Sequence, residues 1–396
     1  MTDFTTEVVK RLTNKDSLME LFRKEMEKGI NEVIQLELTG FLGYEKYAIK
    51  GHHSGNSRNG CYQRTLKTMF GSITVEIPRD RNGAFKQKTV QPYQRTAENL
   101  ERTIILMYSK GMTTREIAEL IEKMYGQYYT PQTVSNITKV TQQQVEKFHN
   151  RPIASRYSVI YGDATMLNLR RDSVAKEAVH ILAGITPEGQ KEILDYRIYP
   201  EEASENYYEM LMDLKRRGLK EVLLFVTDGL TGLQEACLKA FPKASYQRCW
   251  VHVSRTVMKR VRVHDRKDVM EDLKAVYQAA DEKQAQKNLK DFLDKHTPKY
   301  PKLKKLLEQT PSLFTFYRFP KAIRRSIYTT NLIESLNKKL KRSTKRKEQF
   351  PNEAAMERYL YTVFNQYNRK FSQRVHKGFG KVTAEILELF DVVYNN

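Results

Sequence analysis

Long apolar runs, cysteine and tryptophan are all scarce in this chain of 396 residues. The apolar runs are as short as "VLLFV" at 222–226, well under the ~20 residues that span a bilayer. The opening "MTDFTTEVVKRL" has polar and acidic residues where a secretory signal needs an apolar core. A cytoplasmic protein without a membrane segment is expected. The three cysteines, Cys61, Cys237 and Cys249, form no CxxC pair, and so few do not frame a disulfide-stapled domain. His52, His53 and Cys61 match no common zinc spacing. Acid is short too: 47 Asp and Glu face 68 Lys and Arg, for a net charge of +21 and a pI near 9.6. Such an excess is the electrostatic footprint of a nucleic-acid binder. It names a class of partner and no chemistry.

What is present falls into blocks. The length exceeds one usual hydrophobic core, so two or three domains are expected. Within 1–98, residues 16–42 place Leu18, Phe22, Met26, Ile30, Val33 and Ile34 at helical spacing, which predicts a packing or dimerisation helix. "RTLKTMFGSITVEIPRD" alternates apolar and polar residues on both sides of Phe70-Gly71, a hairpin pattern. Residues 99–152 read as helical. Two helices there meet around a turn, one capped by Thr113 or Thr114 with Glu116, the next by Thr130 with Pro131 at its first position. This is helix-turn-helix spacing, and Gln132, Thr133, Asn136 and Lys139 would lie on the exposed face of the second helix, as types that suit base edges and phosphates. From 153 to 252 the grammar is α/β: three strands, a helix, the buried strand "EVLLFVTD", a helix and the short strand "ASYQRCW". Residues 253–326 are helical and basic and read as an insertion, with 327–396 returning to the α/β region and ending in helices.

Two aspartates and a glutamate stand out. Asp163 lies inside the strand "YSVIYGDATML", where an acid is unfavourable unless paired or solvated. Asp228 closes "VLLFVTD", where ligands gather in open α/β sheets; it could instead cap the next helix. From Lys321 to Lys347 there are ten Lys or Arg and one acid, Glu334. Local readings exist for it: a capping box with Asn331, or an ion pair with Lys338. Yet Glu334 shares a helix face with Asn337, Lys338, Lys341 and Lys345, and Arg324, Arg325 and Arg342 add to the basic surface, all suited to DNA phosphates. Negative charge beside a DNA backbone is repulsive unless a divalent cation stands between. Two Asp on strands and a Glu on a later helix could hold two Mg²⁺ about 3.5–4 Å apart. "QRCWVH" puts Cys249 and His252 three apart, flanked by Arg248 and the single Trp250. A metal site would need two more ligands, and a buried Cys with a hydrogen-bonded His at the sheet edge explains the spacing as well.

The stretches "SRNGCYQRTLKT", "IPRDRNGAFK", "YQRCWVHVSRTV", "FPKAIRRSIYTTNLIESLNKKLKR" and "FPNEAAMERYL" occur in that order over roughly residues 55–365. By them the chain resembles the mutator-type transposases of bacterial insertion sequences, relatives of the maize Mutator transposase. The resemblance implies an α/β RNase H-like core interrupted by an all-helical insertion, behind a mainly helical N-terminal region with a helix-turn-helix and a small β-hairpin. It implies a DDE triad of Asp163, Asp228 and Glu334, holding Mg²⁺ with Mn²⁺ as a substitute, and a Cys-x-x-His motif, Cys249 and His252, near the active site without a metal of its own. One departure follows the first Asp, where relatives resemble "DALYVKV" and this chain reads "DATMLNL". The expected partners are double-stranded DNA, as terminal inverted repeats and target, and further copies of the chain in a dimer or larger assembly, nucleoid-associated when bound. Two other readings remain at this point: a domesticated, catalytically inactive DNA-binding regulator, and an RNase H-like nuclease that cuts without joining.

Overall fold

The computed structural model describes residues 18–49, 51, 54–68, 70–90, 98–125, 130–139, 141–345 and 347–395. His52 and His53 lie outside the described residues. The chain divides into two compact units, up to residue 140 and from 141 onward. The division falls inside the stretch 99–152.

In the first unit, helix α1 (Leu18–Leu42) packs on a hairpin of β1 (Arg58–Thr68) and β2 (Gly71–Asp80). The hairpin turns between Thr68 and Gly71, which pair with each other, so Gly71 opens β2 beside the Phe70-Gly71 step on which the alternation is centred. Ile34 from the helix joins Leu66, Ile73, Val75 and Ile77 in a small core. Asn31 fixes the helix to the strand, donating to the Thr74 carbonyl (3.0 Å) and accepting from the Glu76 N–H (2.8 Å). Val33 is exposed, so the apolar stripe is narrower than its spacing suggests. Helices α2 (Glu98–Ser109), α3 (Thr114–Tyr125) and α4 (Pro131–Lys139) follow. A reciprocal cap starts α3: the Thr113 N–H donates to Glu116 Oε2 (2.6 Å) and the Glu116 N–H to Thr113 Oγ1 (3.2 Å). Thr130 Oγ1 accepts from the Thr133 N–H (3.0 Å) at the start of α4. Ile117, Ala118, Ile121 and Val134 are buried.

The second unit opens with α5 (Thr141–Asn150) and is built on a five-stranded sheet of order β5-β4-β3-β6-β7. Strands β3 (Arg156–Arg170), β4 (Val174–Ile185) and β5 (Lys191–Tyr199) run antiparallel; β6 (Glu221–Thr227) and β7 (Ser245–Arg248) add in parallel. Covered on both faces, β6 is apolar throughout, which is why its sequence does not alternate. On one face Tyr207, Met210, Leu211 and Leu214 of α6 (Ser204–Arg216) pack with Leu233, Cys237 and Ala240 of α7 (Leu233–Ala240) on Ile160, Leu182 and Phe225. On the other, Phe364 of α14 (Glu353–Phe371) meets Tyr196 with ring centroids 4.9 Å apart.

Between β7 and the last core helices the chain is helical: α8 (Trp250–Lys259), α9 (Arg266–Tyr277), α10 (Glu282–His296), α11 (Pro301–Glu308) and α12 (Lys321–Ile327), with short 3₁₀ turns. Helix α13 (Asn331–Thr344) then returns to β3, and α15 (Thr383–Tyr394) closes the chain. No helix among the described residues is long and apolar enough to cross a membrane.

Candidate active site

Asp163 sits in the middle of the central strand. Parallel pairing sets Gly162 opposite Thr227, so the next residues, Asp163 and Asp228, emerge side by side where β6 ends. Alternation puts Tyr161 and Asp163 on one face, toward α12 and α13: Tyr161 Oη donates to the Ser326 carbonyl of α12 (3.0 Å), and Asn337 Nδ2 of α13 donates to Asp163 Oδ2 (2.9 Å). Asp228 does not cap α7, whose N-cap is Gly232; its Oδ1 accepts from the Leu230 N–H (3.2 Å) in a local turn.

Glu334 reaches the same place from 171 residues beyond Asp163, because residues 326–330 are stitched back to β3 and to the end of β7. The Trp250 N–H donates to the Tyr328 carbonyl (2.9 Å), the Cys249 N–H to the Thr227 carbonyl (2.9 Å), and the Thr330 N–H to Cys249 Sγ (3.2 Å). The first turn of α13 therefore starts beside the end of β6. Neither local reading of Glu334 describes its carboxylate: the helix N-cap is Thr330, without a side-chain cap, and the carboxylate turns to Arg255, which donates from Nη1 to Oε1 (2.9 Å) and from Nη2 to Oε2 (2.7 Å).

The acids feel one another. Asp163 is buried, and burial, with Asp228 as the next cause and Glu202 and Glu334 adding, pushes its carboxyl up to about 7. Glu202 is also raised, by burial and then by Asp228. The sequence offered no signal for Glu202, which lies in the "YPEEAS" loop. Arg255 was legible only as the Arg one turn after His252. His252 Nε2 stands 3.9 Å from Glu334 Oε1, too far for a hydrogen bond, and burial pushes its imidazole down.

Carboxylate oxygens from three elements are a hard donor set that fits Mg²⁺. Buried oxygens without a hydrogen-bond partner among the described residues, Asn337 Oδ1 and Thr165 Oγ1, suit the water shell that Mg²⁺ keeps. Cys249, His252 and Glu334 offer a sulfur, a nitrogen and an oxygen within 4.8 Å of one another, a softer set. Its sulfur is engaged by the Thr330 N–H and hydroxyl (3.3 Å) and its carboxylate by Arg255, so the motif works here as the joint between α8 and α13. Trp250 is fully buried, its Nε1–H donating to the Leu313 carbonyl (2.7 Å); it anchors the helical segment and presents no surface. The Arg248 guanidinium lies over Gly229 so closely that a Cβ there would be 1.8 Å from its Cζ.

The basic residues separate into two kinds. Lys338, Lys341, Arg342 and Lys345 are exposed along α13, and Lys341 and Lys345 line a cavity of about 380 Å³ with Asn168 and Phe350. Arg325 is exposed as well. Arg324 is committed elsewhere, donating to the carbonyls of Phe319 (2.8 Å), Tyr317 (2.9 Å) and Ala280 (3.4 Å). On α4, Gln132 and Asn136 are exposed and bonded to each other (3.0 Å). Thr133 is half-buried against Thr130 (3.0 Å). The Lys139 side chain lies outside the described residues.

Comparison with known proteins identifies the family. The chain is 47% identical over 391 residues to the transposase for insertion sequence element IS905 of Lactococcus lactis subsp. lactis, covering 99% of this chain and all of that one. It is 45% identical over 361 residues to the transposase for IS1201 of Lactobacillus helveticus, covering 91% and 98%. Among solved structures, a Drosophila P element transposase strand transfer complex matches at 10% identity with a TM-score of 0.32, over 78% of this chain and 87% of that one. The profile of the transposase Mutator family matches residues 2–374, and the chain belongs to that family.

Proposed function

We propose that this transposase binds the terminal inverted repeats of its insertion sequence and both cuts and joins DNA strands at one site, in an RNase H-like core. The observation that supports this best is the convergence of Asp163, Asp228 and Glu334 from two neighbouring strands and a distant helix. In this reading the three carboxylates hold two Mg²⁺, with Mn²⁺ as a substitute. Bound there, the ions would activate the attacking oxygen and stabilise the leaving one.

The chain's own residues do the rest. Asn337 fixes the Asp163 carboxylate through its Nδ2–H, so that donor oxygens are placed before substrate arrives. Lys338, Lys341, Arg342 and Lys345 track the phosphate backbone along α13, and Arg325 extends that surface. Gln132 and Asn136 on α4 are the exposed residues suited to base edges of the repeat. Held in line, a water first cleaves at the element end. The freed 3′-hydroxyl then attacks a second phosphodiester, and the rate comes from positioning and charge stabilisation. The acting form on DNA is a dimer or larger assembly.

Labelled duplex ending in the element's inverted repeat, incubated with the protein and Mg²⁺, tests this. Glu334→Gln keeps DNA binding within about twofold and lowers cleavage and joining by ~10³ or more, the scale of losing one such electrostatic group. Joined product from Glu334→Gln would overturn the mechanism. Cutting without joining by the native protein would favour a nuclease instead.

A further inference from the structure

Arg255 lies on α8, one turn beyond His252, and grips both oxygens of Glu334 at 2.9 and 2.7 Å. The two partners differ in access: the Arg255 side chain is 43% exposed, that of Glu334 only 10%. The carboxylate is built into the joint between α8 and α13, while the guanidinium reaches it from the rim. Its planar fork fits a carboxylate and a phosphate equally well. Among the described residues, the hydrogen bonds to the Glu334 carboxylate come from Arg255. A cation that takes Glu334 must therefore share it with this positive charge or displace it.

We propose that Arg255 is a positioning residue that holds Glu334 until metal and DNA arrive, then hands the carboxylate to the cation and moves to a backbone phosphate of the bound strand. The proposal rests on Glu334 being a metal ligand. The exchange is balanced in charge: the cation replaces the guanidinium at the carboxylate, and a phosphate replaces the carboxylate at the guanidinium. It follows that metal and DNA bind with positive coupling. Without DNA, Arg255 competes with the cation; with DNA, the phosphate draws it away.

Mn²⁺ binding to the full-length protein, read by electron paramagnetic resonance with and without a terminal-repeat duplex, tests this apart from activity. Duplex lowers the Mn²⁺ concentration for half-saturation of the native protein about tenfold. Arg255→Gln binds Mn²⁺ about tenfold more tightly than the native protein without DNA, and duplex then changes it less than about twofold. Arg255→Lys, which keeps charge but not the fork, falls between, and it decides the matter if the Gln variant does not fold by circular dichroism. Unchanged or weaker Mn²⁺ binding by the Arg255 variants, or equal tightening of all forms by duplex, overturns the hand-over. Glu334→Gln binding Mn²⁺ like the native protein overturns the ligand assignment itself, and the two failures are thereby told apart.

Discussion

Single residues in this protein show how burial sets charge. His180 on β4 is fully buried between the rings of Tyr199 and Tyr207, at 5.1 and 4.6 Å. Burial pushes its imidazole down to about 4, against an ordinary value near 6.5. Between those values the unfolded chain takes up a proton that the folded one refuses. The contribution of this group is thus full above about pH 6.5 and is lost as pH drops through the window, the loss approaching about 3 kcal/mol at its lower end. Urea unfolding near pH 7 and near pH 4.5 should show His180→Phe losing less stability on acidification than the native protein. A slope equal to the native one would place the sensitivity elsewhere.

At the scale of elements, adjacent arginines on α12 have opposite surroundings, Arg324 bonded to the fold and Arg325 exposed. Arg324 ties the helix to three carbonyls, two of them in the turn just before it and one at Ala280. Charge-assisted bonds of this kind each contribute measurably, so Arg324→Ala should cost about 2 kcal/mol and leave the salt dependence of DNA binding unchanged. Arg325→Ala should do the reverse. It should move stability by less than ~0.5 kcal/mol and lower the slope of log affinity against log salt by ~1. Paired thermal melts and salt titrations check both, and a reduced slope for Arg324→Ala would return it to the DNA surface. Elements also explain what the sequence conceals at Glu334. Its helix begins at Asn331, with Thr330 and not Asn331 as the N-cap, and the direction of its carboxylate depends on α8, which the pattern at 331–345 does not contain.

Over the whole molecule, the boundary at 140–141 has a measurable consequence. The later unit holds the complete five-stranded sheet, the helices on both its faces and all three acids. A fragment of residues 141–396 should fold alone and unfold in one cooperative step. Losing its native circular dichroism would show that the earlier residues are needed for the core. The net charge of +21 belongs to this scale too. A charge of that sign and size favours polyanionic partners and does not set the fold.

Much of the protein was decided by local sequence, because the forces involved are local. The hairpin at Phe70-Gly71, the cap of Thr113 and Glu116, the apolar β6 and the helical character of 253–326 follow from alternation, capping and turn chemistry acting over a few residues. Asp163, Asp228 and Glu334 were visible as misplaced acids. Tertiary structure alone decided what they meet. Parallel pairing in register puts Asp163 next to Asp228; Tyr328 and Thr330 bring Glu334 to them across a helical segment; and Arg255 and Glu202 join without any mark of their own in the local sequence. Contacts between residues so far apart depend on how whole elements pack, and that information is spread over the entire core.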